Sequence, residues 1–134
     1  MSRNGFSGLV AESLARFGTF RLQARGNSMR PLIPDGSFVT LVSVQRDVRP
    51  GDVIALDLGS RLVIHRVLVV QNGWVQTVGD GNIKLDPARP VSDIIGLVSR
   101  VQLSNGWLQR TDTTLARWLG RLIVFGQRRR FSIV

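Results

Sequence analysis

Residue types able to carry acyl-transfer chemistry stand in three separate segments: Ser28 in Gly26-Asn27-Ser28-Met29-Arg30-Pro31, His65 in an apolar run, and two carboxylates in Gly79-Asp80-Gly81-Asn82-Ile83-Lys84-Leu85-Asp86. A serine hydroxyl is a poor nucleophile until a neighbouring base takes its proton, and a carboxylate can orient that base. The chain narrows the choice of base. His65 is its only histidine, and all but one of its 18 basic residues are arginine, which stays protonated at neutral pH. The exception is Lys84, in the Gly/Asp turn. If Ser28 is a nucleophile, His65 is the leading candidate base, and a Ser28/Lys84 dyad is a competitor that unchanged activity in Lys84→Ala would remove.

The same segments fall into an ordered series. Gly-x-Ser-Met-x-Pro at Gly26 to Pro31, Arg-Pro-Gly-Asp-Val at Arg49 to Val53, Ile-His-Arg-Val at Ile64 to Val67, Gly-Asp-x-Asn-x-x-x-Asp at Gly79 to Asp86 and Ile-Ile-Gly-x-Val at Ile94 to Val98 follow one another along the chain. This series resembles the boxes of type I signal peptidases, in the S24/S26 superfamily. Histidine at position 65, where bacterial housekeeping members carry lysine, makes the chain similar to the archaeal and endoplasmic-reticulum branch. The resemblance spans about residues 20 to 103. It implies a β-rich peptidase domain in which Ser28 attacks, His65 is the general base and an acidic residue orients the imidazole. On matching positions that acid is Asp86, with Asp80 as a second carboxylate nearby.

Each residue also has a plainer reading. Ser28 could cap local backbone in a turn, and Asp80 and Asp86 could serve the Gly79-Asp80-Gly81-Asn82 loop in the same way. A histidine in an apolar strand could be satisfied by a backbone carbonyl, since an unpaired buried polar group costs about 1–3 kcal/mol. On the functional reading, Gly26 lets the backbone approach a substrate, Pro31 restricts the chain after the nucleophile, and backbone N–H groups near Ser28 face a developing oxyanion. Gly26, Asn27 and Met29 are then the expected substrate-binding positions, with Met29 also suited to plug the core. Asp52 reads as a turn carboxylate.

The elements that must position these groups are mostly strands. Phe38 to Val44, Val53 to Leu58, Leu62 to Val70, Trp74 to Val78 and Val91 to Leu103 are rich in β-branched and aliphatic residues and are bounded by turn residues. Asn72-Gly73 predicts a tight hairpin, because a type I′ turn needs positive φ at both central positions. In Leu62 to Val70 a period of two puts Val63, His65, Val67 and Val69 on one face and Leu62, Ile64, Arg66 and Leu68 on the other. Both faces are mostly apolar, so this strand is expected inside the sheet system. With no repeat and no alternation of strands with helices, the expected fold is mainly β: a partly closed antiparallel β-structure of the signal peptidase type, with short amphipathic helices at both ends.

At the N-terminus, Phe6, Leu9, Val10, Leu14 and Phe17 recur at helical spacing, interrupted by Glu12 and Arg16. The domain reading is an amphipathic helix over residues 1–19, a catalytic β-domain over 20–106, and a basic amphipathic segment over 107–134. In that last segment Leu115, Trp118, Leu119, Leu122 and Ile123 form an apolar stripe, and six arginines face one aspartate. A basic helix with a tryptophan suits the surface of an anionic membrane.

Composition bounds the function. The 134 residues suit one domain, and the absence of cysteine with one histidine argues against a disulfide framework or a metal site. No cofactor is expected. The net charge of +9 favours an anionic partner without selecting nucleic acid or lipid. No stretch reaches the ~18 apolar residues of a spanning helix, and no apolar run follows Arg3 as a secretory signal requires. A cytoplasmic protein, peripheral at the inner face of the membrane, is the expectation. The activity the resemblance implies is that of a serine endopeptidase cleaving a precursor or leader peptide after small residues. The alternatives are an inactive peptide-binding scaffold of the same fold and a nucleic-acid-associated module akin to self-cleaving repressor peptidases. Specific nucleic-acid binding is not expected, because residues 1–25 are too short for a helix-turn-helix domain and no tyrosines are present to stack on bases.

Overall fold

The computed structural model describes residues 5–59, 61–82, 84–106, 108–110 and Val124, with the side chains of residues 109 and 110 excepted. Helix α1 (Gly5–Phe17) leads into strands β1 (Thr19–Gln23), β2 (Phe38–Val42), β3 (Val53–Asp57), β4 (Leu62–Gln71) and β5 (Trp74–Val78). A two-residue strand, β6 (Arg89–Pro90), a 3₁₀ turn at Val91–Asp93, β7 (Ile94–Gln102) and β8 (Leu108–Arg110) complete the described chain. The strands form one antiparallel sheet in the order β1-β2-β7-β3-β4-β5-β6, with β8 also paired to β7. The expected mainly β, antiparallel fold is thus present.

The core explains the strand composition. In β3, Val53 and Ala55 are buried on one side of the sheet, and Ile54 and Leu56 are buried on the other. That two-sided burial is why β3 reads as an unbroken apolar run rather than an alternating one. The first side also receives Val10 and Leu14 of α1, Val39 and Leu41 of β2, and Met29 and Ile33 of the loop after β1. The hairpin from β4 to β5 turns through Asn72 and Gly73, at φ 52° and 79°.

Two local expectations change. Thr19–Gln23 is a strand, although the helical spacing just before it masked the alternation of Phe20 and Leu22 with Thr19, Arg21 and Gln23. The apolar stripe of α1 divides: Val10 and Leu14 are buried, while Phe6, Leu9 and Phe17 remain exposed. The stripe is wider than the helix's contact with the sheet, and Phe6 instead meets Phe20 edge-on at 6.0 Å. In β4, Val67 and Leu68 are both fully buried in separate clusters, as a strand with two apolar faces should be, and a bulge opposite β5 shifts the register between Val67 and Val69.

Most of the segment 107–134, including its apolar stripe and most of its arginines, lies outside the described residues. Within it Leu108–Arg110 form β8 against β7, and Val124 is helical and buried against Leu68 and Val78. Among the described residues, no helix is long and apolar enough to cross a membrane.

Candidate active site

The histidine is set by the sheet. His65 pairs across to Ile54 of β3, and the next residue, Arg66, begins the pairing of β4 with β5. It therefore sits where β4 passes from one neighbour to the other, with the ring almost wholly buried. Its Nδ1 lies 2.5 Å from Asp86 Oδ2. A carboxylate can only accept at that contact, so Nδ1 carries the proton and Nε2 is left as the acceptor of the ring. This is the tautomer that a general base for a hydroxyl requires.

Asp86 is anchored by β5. Its N–H donates to the Thr77 carbonyl at 3.0 Å, Gln76 Nε2 donates to the Asp86 carbonyl at 3.2 Å, and Thr77 Oγ1 donates to Asp86 Oδ2 at 2.6 Å. Backbone and side chain are thereby fixed against one strand. Thr77 is 1% exposed and lies opposite Val67, two residues beyond His65 on β4. Sequence reasoning passed over this residue. Its signal was a hydroxyl on the inward side of an apolar strand, since a buried hydroxyl needs a partner.

Asp80 is placed differently. It forms a two-pronged ion pair with Arg66, Nε to Oδ1 and Nη2 to Oδ2 each at 2.8 Å, and both side chains are about 95% buried. Arg66 Nη1 also donates to the Gly51 carbonyl at 2.7 Å. The carboxylate on His65 is consequently Asp86, and Asp80 binds the arginine next in sequence to the histidine.

The same loop braces the serine. Gly81 N–H donates to the Ser28 carbonyl at 2.8 Å, and Asp80 N–H donates to Met29 Sδ at 3.3 Å. The approach leaves no room for a side chain at Gly79, where an added Cβ would stand 2.3 Å from the Ser28 carbonyl oxygen. On its other flank the serine loop is held by Gly26 N–H on Asp35 Oδ1 at 2.7 Å and by Ile33 N–H on the Met29 carbonyl at 2.8 Å. Met29 and Ile33 are buried in the core. Gly26 has φ 92° and open space where a Cβ would go, so its turn conformation, rather than crowding, is what calls for glycine.

Ser28, His65 and Asp86 line one cleft of about 900 Å³. Gly26 and Met29 share its wall, and Asn27 does not; the Asn27 carbonyl accepts the Arg30 N–H at 3.2 Å. Lys84 is exposed and outside the cleft. Arg46 donates to both oxygens of Asp52, at 2.9 and 3.0 Å, a pairing that raises the Arg46 pKa above its ordinary value, and Asp52 also accepts the Arg49 N–H. No group of residues suited to a metal ion occurs among the described residues.

Known proteins add one finding. Residues 9–77, slightly over half of the chain, match the family model described as Peptidase S24-like. The matched span includes Ser28 and His65 and stops at Thr77, short of both aspartates. No curated protein matches the chain.

Proposed function

The chain belongs to the Peptidase S24-like family, and from that premise we propose that it is a serine endopeptidase of the Ser/His/Asp type, acting on a precursor or leader peptide. The observation that carries the reading is the hydrogen bond from His65 Nδ1 to Asp86 Oδ2, on the wall of a cleft that Ser28 shares. In this reading His65 Nε2 takes the Ser28 proton as Oγ attacks the scissile carbonyl. Asp86 stabilises the resulting imidazolium, which then protonates the departing amine. Water, activated by the same nitrogen, hydrolyses the acyl-enzyme.

The roles divide by contact. Ser28 is the nucleophile, His65 the base and Asp86 its orienting acid. Asp80 acts through the loop it fixes and is a positioning residue. Signal-peptidase-like cleavage after small residues is the specificity taken from the resemblance of the motifs.

The test is a degenerate peptide library incubated with the protein, with new amino termini read by mass spectrometry. Cleavage after small residues that disappears in both Ser28→Ala and His65→Gln is expected. No cleavage by the native protein, or cleavage that survives Ser28→Ala, would overturn the reading and favour a peptide-binding scaffold.

A further inference from the structure

The cleft is walled by two strand edges that run the same way. Along the path β1-β2-β7-β3-β4 every neighbour is antiparallel, so β1 and β4 point in one direction, each toward its catalytic residue. Among the described residues β1 pairs only with β2, and β4 meets β5 only from Arg66 onward. One edge of Thr19–Gln23 and one edge of residues 62–65 are therefore unpaired in the sheet, and both segments line the cleft. Unpaired strand edges accept an extended backbone.

The charge on these walls is one-sided. Arg21, Arg25 and Arg61 line the cleft, and its one carboxylate, Asp86, is taken up by His65 and Thr77. Two of the three guanidiniums are held by neutral acceptors. Arg21 donates to Gln102 Oε1 at 2.7 Å and stacks 4.1 Å from the Phe38 ring centre. Arg25 donates to Gln23 Oε1 at 2.9 Å. The Arg21 guanidinium thus lies across β2 toward β7, away from the unpaired edge of β1, and Arg61 is the cation on the β4 side of the cleft, carrying five N–H donors.

We propose that the cleft selects peptides bearing an acidic side chain about four residues from the scissile bond, bound by Arg61 where β4 begins. The spacing follows from β4: Arg61 precedes His65 by four positions, or about 13 Å at ~3.3 Å per residue, and an extended peptide alongside has the same rise. A peptide fits these walls better than a nucleic acid does, because both flanks offer strand backbone as well as charge. The proposal rests on the peptidase reading for its position relative to the cut, but not for the binding itself.

The experiment has two arms. In the first, a cleavable peptide is rebuilt with Glu or Lys scanned through each position, and kcat/KM is measured for the native protein, Arg61→Glu, Arg21→Glu and Arg49→Glu. Arg49 is exposed and outside the cleft, so it controls for net charge. Glu at one position about four residues from the cut should raise kcat/KM roughly tenfold over Lys, the scale of one charge-assisted contact. Arg61→Glu should reverse that preference, and Arg21→Glu, whose guanidinium lies across β2, and Arg49→Glu should leave it alone. In the second arm, fluorescence anisotropy measures binding of the same labelled peptides to Ser28→Ala, which reads acidic selectivity even if no peptide is cut. Equal affinity for Glu and Lys peptides, a preference untouched by Arg61→Glu, or displacement of the peptides by a single-stranded oligonucleotide that binds more tightly would overturn the proposal.

Discussion

Asp80→Asn is expected to cost this domain a large share of its stability. Asp80 and Arg66 are both about 95% buried, so the substitution leaves a guanidinium inside the protein with no counter-charge. Breaking such a pair from one side costs about 3–5 kcal/mol, because the desolvation penalty remains after the attraction is gone. For a domain of this size each kcal/mol moves the midpoint by roughly 4 °C, so Tm should fall by about 12–20 °C. The double variant Arg66→Met/Asp80→Leu removes both charges and should regain much of the loss, since apolar replacement of a whole buried pair is often neutral. Activity should separate from stability in that variant. The loop that carries Asp80 also holds the Ser28 carbonyl and Met29 Sδ, and a displaced nucleophile can lose about 10²-fold in rate. Thermal unfolding followed by circular dichroism gives Tm, and peptide hydrolysis below it gives kcat/KM. An Asp80→Asn protein melting within about 2 °C of the native one, as an ordinary surface substitution does, would refute the reasoning.

Thr77→Val keeps the shape of a buried side chain but deletes the 2.6 Å donor to Asp86 Oδ2. It should lower kcat by roughly tenfold with little change in KM, and Thr77→Ser should restore most of the rate. Gly79→Ala forces a methyl to within 2.3 Å of the Ser28 carbonyl oxygen, so a loss of about 10²-fold in kcat/KM is expected, and activity within twofold of native would contradict the interlocked-loop geometry.

Much of the path from sequence to fold was legible in period and punctuation. The two-sided apolar run of β3 and the Asn72-Gly73 hairpin each follow from a local rule that the structure obeys. β1 was hidden because five residues of alternation follow directly on a helical pattern. The site was legible only in part. The order of Ser28, His65 and Asp86 along the chain marked the candidates, but the choice of Asp86 over Asp80 as the partner of His65 depends on which strand each loop end lies against. Arg66 looked like one polar residue in an apolar strand, and its burial depends on Asp80, fourteen residues further on. Thr77 carried no local mark beyond being a hydroxyl among valines. These are long-range pairings, and periodicity does not encode them.

The most direct test of the central claim is the reaction of the protein with a fluorophosphonate, which labels serine only when its hydroxyl is activated. Intact-mass and peptide mapping would read the site and stoichiometry of labelling. The account predicts one adduct per chain, located on Ser28, formed slowly in Asp86→Asn and not at all in His65→Gln. A native protein that stays unlabelled, or labels equally without His65, would contradict a serine peptidase built on these three residues.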